Sequence, residues 1–122
     1  MGLCKYPIII AGSRNIQNYF LISENLDRLV PLEMREKIEV VSGCARGVDT
    51  MGEWWASVNN IPIVKFPADW DAHGSRARYV RNEEMAKYSK CPIAFWDGHS
   101  KGTKHMIDLA KKYNLKLKVV TL

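Results

Sequence analysis

The sequence predicts an α/β fold, a doubly wound parallel sheet of five strands with helices on both faces. Short apolar runs alternate strictly with stretches of helical periodicity along the 122 residues, and short connections join them. This alternation is typical of parallel sheets covered by helices. Glycine-bearing loops follow three of the runs where a helix begins, and ligands bind in such sheets at the strand ends. We expect one domain over residues 1–122 with strand order 3-2-1-4-5.

The five strands are predicted from apolar runs of four to six residues. The first, at residues 6–11, is almost continuously apolar, as expected of a parallel strand buried on both faces. Each of the other four follows a helical segment, which is the order that parallel pairing requires. These four strands cover residues 39–42, 62–66, 92–96 and 117–121.

The helices are predicted from apolar residues that recur every three or four positions. In the second helix this stripe includes Met51, Trp55 and Val58. Residues 69–75, which follow the third strand, lack such periodicity and are expected to form an irregular loop. The four predicted helices cover residues 18–30, 48–59, 77–89 and 103–113.

Composition excludes several classes of protein. No apolar run approaches the ~20 residues that cross a bilayer. The N-terminus lacks the plan of a signal peptide, so we expect a cytoplasmic protein with no membrane partner. Cys4, Cys44 and Cys91 have neither disulfide nor zinc-site spacing, and no metal or cofactor is expected. The net charge of +5 favours phosphorylated or polyanionic partners, although the basic residues are spread along the chain.

The three glycine-bearing loops form the predicted anion site. Glycine leaves backbone N–H groups free to turn toward a ligand, and the N-terminus of the following helix adds partial positive charge. Tight turns and helix capping explain the same residue types without a ligand. The expected ligand contacts are Gly12, Ser13 and Arg14 in the first loop, Gly43, Ala45, Arg46, Gly47 and Asp49 in the second, and Asp97, Gly98, Ser100, Lys101, Gly102 and Thr103 in the third.

Arg81 is the most informative single residue. It shares one face of the third helix with Met85 and Tyr88, so a charged group lies on an apolar stripe. A buried guanidinium needs an anionic partner. This partner is either an internal carboxylate or a ligand phosphate bound in bidentate fashion, and we favour the phosphate. The candidate internal partners are Asp49, Glu53 and Asp97.

Neighbouring residues offer groups for the rest of a ligand. Asn82 carries a donor and an acceptor for a sugar or base edge, and Trp70 can stack on a base or seal the edge of the core. Asp49 and Glu53 either stabilise the start of their helix or contact the ligand. Neither a Walker A motif nor G-x-G-x-x-G is present, which disfavours nucleoside triphosphatases and ordinary dinucleotide oxidoreductases.

Taken together, five segments resemble the YspA-like branch of the SLOG superfamily, Rossmann-like domains related to the LOG proteins and to DNA-processing protein A. The resemblance implies a single domain that binds a nucleotide or nucleotide-derived ligand, such as one containing ADP-ribose, as a sensor or sequestering protein. Arg78 stands where YspA-like proteins have the glycine of Ala-Gly-Pro, and its side chain can bind the same anion. The matching segments are residues 11–14, 41–50, 66–70, 81–86 and 94–103.

The resemblance also implies two alternatives. LOG proteins hydrolyse the N-glycosidic bond of nucleoside monophosphates with an arginine, matched by Arg81, and a glutamate, at whose position Met106 stands. Hydrolysis would therefore require Asp49, Glu53 or Glu84 to replace that acid.

The other alternative is a single-stranded DNA-binding domain like that of DNA-processing protein A, which has a similar loop at residues 42–49. The positive charge and Trp70 suit strand binding, whereas the lack of a concentrated basic segment counts against it. Adjacent Trp54 and Trp55 cannot both enter one core, so one of them is available for contact in a homodimer or higher homo-oligomer.

Overall fold

A five-stranded parallel sheet organises the chain, as the sequence predicts. The computed structural model describes residues 5–122. The strands pair in the order β3-β2-β1-β4-β5, and every pair is parallel. The Rossmann-like fold with strand order 3-2-1-4-5 is therefore confirmed. The strands are β1 Tyr6–Gly12, β2 Ile38–Ser42, β3 Ile63–Lys65, β4 Cys91–Trp96 and β5 Lys118–Thr121.

Helices cover both faces of the sheet. The prediction of an irregular loop over residues 69–75 was wrong, because this segment contains a short helix and part of a 3-10 turn, Gly74–Arg76. The Asp69 side chain accepts a hydrogen bond from Ala72 N at 3.1 Å and so caps that short helix. No helix within residues 5–122 has the length and apolarity needed to cross a bilayer. The α-helices are α1 Tyr19–Leu29, α2 Val48–Val58, α3 Trp70–His73, α4 Ala77–Tyr88 and α5 Lys101–Lys112.

The core forms one apolar layer on each face of the sheet. Ile8 and Ile10 of β1 pack with residues of α1 and α2, whereas Ile9 packs with residues of α4 and α5. This alternation follows from the two-residue period of a strand, and burial on both faces requires the continuous apolar run. Because α1 and α5 lie on opposite faces, the chain leaves β1 and β4 in opposite directions. The crevice between these strands is the topological switch point.

The buried face of α2 is shifted from the predicted stripe, since it includes Gly52 and Ala56 and excludes Val58. Trp55 is buried and donates its indole N–H to Asp27 Oδ1 at 3.0 Å, whereas Trp54 is 55% exposed. The prediction that only one of these tryptophans enters the core is confirmed. Val58 was wrongly placed on the buried stripe and is 74% exposed. At 100° per residue it lies roughly 90° from the centre of the buried face, so it projects sideways from the core.

Two glycines allow the first and second loops to pack closely. A Cβ at Gly12 would lie 2.6 Å from the carbonyl oxygen of Phe95 and 2.6 Å from Val48 Cγ2. Gly47 has φ +77°, and a Cβ there would lie 2.5 Å from the carbonyl oxygen of Ser13. These positions exclude any larger residue. Backbone packing therefore accounts for both glycines without reference to a ligand.

Substitution of Gly12 by alanine is expected to lower the free energy of unfolding by about 1–3 kcal/mol, because the added methyl overlaps a backbone oxygen that cannot move cheaply. Gly102→Ala is the matched control, since a Cβ at Gly102 would meet no atom within 4 Å. That variant should be unchanged or more stable by up to about 1 kcal/mol through improved helix propensity. Urea unfolding followed by circular dichroism measures both, and equal stabilities would contradict the packing argument.

Candidate ligand-binding site

A cavity of about 410 Å³, called the main cavity below, opens at the carboxyl ends of β1 and β4. Its volume lies in the range of small-molecule sites, ~300–1,000 Å³. The first, second and third glycine-bearing loops all contribute to its wall, together with α4 and α5. The predicted contacts that line it are Gly12, Ser13, Arg14, Ala45, Asp49, Arg78, Arg81, Asn82, Asp97, Ser100, Lys101, Gly102 and Thr103.

A smaller cavity of about 290 Å³, the side cavity, lies between the second loop and the start of α3. Arg14, Ala45 and Arg81 line both cavities. The two are therefore neighbouring compartments of one crevice. The predicted contacts that line only the side cavity are Gly43, Arg46 and Trp70.

Three predicted residues line neither cavity. Gly47 supports the contact between the first two loops, and Gly98 occupies a turn with φ +87°. Glu53 accepts a hydrogen bond from Ser42 Oγ at 2.5 Å and lies 3.8 Å from Lys65 Nζ. Of the two acids on α2, Asp49 alone contributes to the cavity wall.

Arg81 is buried at the boundary between the two cavities, with 8% of its surface exposed. Its Nε donates to Asn82 Oδ1 at 3.0 Å, and its Nη1 donates to the carbonyl oxygen of Gly43. Within residues 5–122 no ion pair involves Arg81 and no acceptor bonds to its Nη2. The internal carboxylates considered from the sequence therefore do not neutralise this guanidinium through direct contact.

Burial lowers the pKa of Arg81. The nearby Asp49 carboxylate opposes this shift, whereas the guanidinium groups of Arg14 and Arg78 lower the pKa further. Three arginines thus repel one another around one cavity. An anion placed among them would relieve that repulsion.

The carboxyl group of Asp49 occupies the turn of the second loop. Ala45 N donates to its Oδ2 at 3.3 Å, and the backbone of Gly43 also stabilises its charged form. Desolvation by burial outweighs these contacts and the Arg81 charge, and it raises the pKa of Asp49 to about 6. Asp49 therefore stabilises the loop and also lines the main cavity. Backbone amides predicted to bind a phosphate instead face an internal carboxyl group.

The third loop satisfies several of its amides internally. Asp97 Oδ1 accepts hydrogen bonds from His99 N at 2.8 Å and Ser100 N at 2.9 Å, and these bonds lower the pKa of Asp97. Ser100 Oγ accepts from Thr103 N at 3.4 Å and caps α5, as the capping alternative predicts. The basic group that this loop presents to the main cavity is Lys101.

Asn82 connects α4 to α5. Its side-chain oxygen accepts from Arg81, and its Nδ2 lies 3.4 Å from the carbonyl oxygen of Gly102 and 3.2 Å from His105 Nδ1. The amide that the sequence suggested for a sugar or base edge is therefore used internally. Asn82 acts on the site mainly by positioning Arg81.

Tyr79 and Met106 also line the main cavity, although no ligand contact is predicted from the sequence for either of them. The Tyr79 ring packs edge-on against His105 with centroids 4.9 Å apart, and the Arg78 guanidinium lies 5.7 Å from the Tyr79 ring centre. The one sequence feature that could have indicated a site role for Tyr79 is its position directly after Arg78. Met106, at the LOG glutamate position, brings a thioether to the wall. The remaining lining residues are Ala11, Asn15, Met85 and His99.

No metal-binding cluster is present among the described residues. Within residues 5–122 no three His, Cys, Asp or Glu side chains are grouped to share an ion. Cys44 and Cys91 are free thiols, and Cys4 lies outside the described part of the chain.

Comparison with protein families classifies the chain. The model of the YspA, cpYpsA-related SLOG family matches residues 6–73. The chain belongs to this family. The matched segment runs from β1 to α3 and includes the first two loops and Trp70, whereas Arg81 and the third loop follow it in the sequence. The resemblance noted from the sequence is thus confirmed.

One curated protein and two solved structures are similar to this chain. Gene 61 protein of Mycobacterium phage D29 is 37% identical over 79 residues, which cover 60% of this chain and 63% of that protein. DNA processing protein A from Streptococcus pneumoniae shares the fold with a TM-score of 0.75 and 14% identity over 95% of this chain and 50% of its own. The Helicobacter pylori protein, which binds single-stranded DNA, has a TM-score of 0.65 and 19% identity over 95% and 65%. The chain spans about half to two thirds of these proteins, and the structural likeness establishes the fold alone.

Asp49→Asn is expected to change how stability depends on pH. The pKa of Asp49 rises from 3.8 to about 6 on folding, so its contribution is fully present below 3.8 and is lost as pH rises through 6. At pH 7.5 the variant should be more stable than the wild type by up to ~3 kcal/mol, and this advantage should vanish at pH 4. Urea unfolding at both pH values measures the difference.

The asparagine retains a carbonyl oxygen for the Ala45 N–H, so loss of that hydrogen bond does not obscure the result. Asp97→Asn is the control of opposite sign, because folding lowers the pKa of Asp97. Its wild-type contribution is present above the unfolded pKa and is lost in acid. Parallel pH profiles for wild type and Asp49→Asn would contradict the assigned ionisation.

Proposed function

We propose that this protein binds a nucleotide or nucleotide-derived ligand through its phosphate, at the main cavity, as a sensor or sequestering protein. The observation that carries the proposal is the group of four cationic side chains on a concave wall that holds two carboxyl groups. The cationic residues are Arg14, Arg78, Arg81 and Lys101.

No carboxylate of residues 5–122 lies within ion-pair distance of these four cations. The cations that do form ion pairs within residues 5–122 are Arg35, Lys65, Lys104 and Lys112, and none of them lines the main cavity. Arg81 is also buried, and a desolvated guanidinium without a carboxylate in direct contact favours an incoming anion. A planar guanidinium can donate two parallel hydrogen bonds to two oxygens of one phosphate group, which a monatomic anion cannot accept.

The rest of the wall suits the nucleoside part of such a ligand. The Tyr79 ring is 38% exposed and offers a face or edge for a base, whereas Met85 and Met106 line the cavity but are almost completely buried. A few polar groups on a partly apolar wall are typical of sites for small organic ligands. These features favour a nucleotide over inorganic phosphate.

Arg78→Ala is expected to weaken binding of AMP, ADP-ribose, NAD or a cyclic relative by about tenfold or more, since it removes a charged hydrogen-bond donor from the cavity. Arg76→Ala is the matched control, because Arg76 is exposed, lines neither cavity and carries the same charge. Equilibrium dialysis followed by chromatography measures the affinity and shows whether the bound compound is intact.

Recovery of an intact compound after heat denaturation supports a binding or sequestering protein. Release of free base would instead assign LOG-type hydrolysis, with Asp49 as the acid within the cavity. Failure of every compound in the panel to bind would contradict the proposal.

Single-stranded DNA binding is the second candidate, and the shape of the crevice favours it. The side cavity adds Arg46 and Trp70 to the basic residues of the main cavity, and Trp70 is 53% exposed. Five basic residues from distant parts of the sequence therefore lie in one crevice, namely Arg14, Arg46, Arg78, Arg81 and Lys101. A basic groove with exposed aromatic rings is the usual surface for single strands. The fold shared with DNA processing protein A agrees with this candidate.

On this second candidate, the affinity for a fluorescent oligothymidylate should fall with salt. The logarithm of the binding constant should have a slope of about −3.5 against the logarithm of salt concentration, since each of the five crevice cations neutralises one phosphate and each phosphate contributes ~0.7. Arg46→Ala should make that slope shallower, whereas Arg76→Ala should leave it unchanged. Fluorescence anisotropy measures the slope, and absent or salt-independent binding rejects the candidate.

A further inference from the structure

The side cavity indicates what kind of nucleotide the crevice accepts. We propose that the ligand is a dinucleotide, two base-bearing halves joined through phosphate, with one half in each cavity and the bridge at Arg14 and Arg81. The inference rests on the proposed function and names the ligand class of the same site. Pyrophosphate and phosphodiester bridges share the chemistry that these arginines recognise.

The position of the bridge follows from the residues common to both cavities. Arg14 and Arg81 line each of them, so positive charge is concentrated at their boundary. Gly43 and Asn82 fix the Arg81 guanidinium there, and Nη2 bonds to no acceptor within residues 5–122. A dinucleotide matches this arrangement, because its anionic phosphate bridge lies between two halves that carry uncharged bases.

Gly43 shows how closely this boundary is built. A Cβ at Gly43 would lie 2.8 Å from Arg81 Nη1 and 2.9 Å from Asp49 Oδ2. The absence of a side chain therefore allows the guanidinium to lie against the backbone of the second loop. Arg81 is held at the boundary by the fold, before any ligand arrives.

The side cavity is lined by both basic and apolar residues. Arg46 adds to the two shared arginines, whereas Pro67, Ala68 and Trp70 provide the apolar part of the wall. The half-exposed indole of Trp70 offers a stacking face for a planar base. The Asp69 cap orders the backbone of the helical turn that carries Trp70.

The shared wall favours one extended ligand over two separate ones. The main cavity, at about 410 Å³, lies in the usual range for a small-molecule site, and the side cavity adds about 290 Å³ next to it. Trp70 lines the side cavity and not the main cavity. A mononucleotide in the main cavity would therefore leave Trp70 without a contact, whereas a dinucleotide would use both compartments.

The test compares AMP, NAD and the phosphodiester dinucleotide pdApdA by equilibrium dialysis against wild type, Trp70→Ala and Trp54→Ala. Trp54 is the matched control, because it is 55% exposed against 53% for Trp70 and lines neither cavity. We expect at least one dinucleotide to bind about tenfold more tightly than AMP, as one added stacking contact allows. Trp70→Ala should remove that gain and leave AMP binding within twofold, and Trp54→Ala should change neither.

The outcomes separate this inference from the function on which it rests. Equal affinities of AMP and both dinucleotides for wild type, or equal effects of the two tryptophan substitutions, would overturn the dinucleotide and leave nucleotide binding intact. No binding of any compound would overturn both proposals. Affinity that keeps rising from pdApdA to longer strands would identify single-stranded DNA and overturn the dinucleotide as ligand. The tighter of NAD and pdApdA identifies the bridge.

Discussion

The candidate site depends on a buried guanidinium that no carboxylate of residues 5–122 contacts directly. Burying a charge is costly unless hydrogen bonds and nearby opposite charge compensate. Arg81 is held by the carbonyl oxygen of Gly43 and the side chain of Asn82, while Asp49 supplies charge at longer range. This arrangement explains why Gly43 has no side chain and why Asn82 connects α4 to α5. It also leaves Nη2 of Arg81 with no acceptor among the described residues, beside two cavities.

The second loop differs from an open phosphate-binding loop because the amide of Ala45 already donates a hydrogen bond to the Asp49 carboxyl group. This carboxyl group accepts the amide hydrogen bond that an anionic ligand would otherwise accept, and burial keeps it partly protonated near pH 6. Gly12 and Gly47 in the same region are required by backbone packing. The anion affinity of the crevice therefore rests on side-chain cations more than on glycine amides.

The chain belongs to the YspA, cpYpsA-related SLOG family and shares the fold of DNA processing protein A. The family match ends at residue 73, before α4, so the arginines of α4 are outside the segment that defines the classification. The residues that line the crevice lie on both sides of that limit. Trp70 belongs to the matched segment, whereas Arg78 and Arg81 do not.

The sequence by itself determined the five strands, their order and the switch point, because apolar periodicity and chain alternation are local properties that dictate which faces are buried. It also predicted that Arg81 and the three glycine-bearing loops lie together at the carboxyl ends of the strands, where they line the main cavity. Only the tertiary structure decided that Asp49 faces the crevice while Glu53 bonds to Ser42, and that Arg14 and Arg81 lie at the boundary of two cavities. Such contacts depend on side-chain direction and on packing between distant segments, which no local pattern encodes.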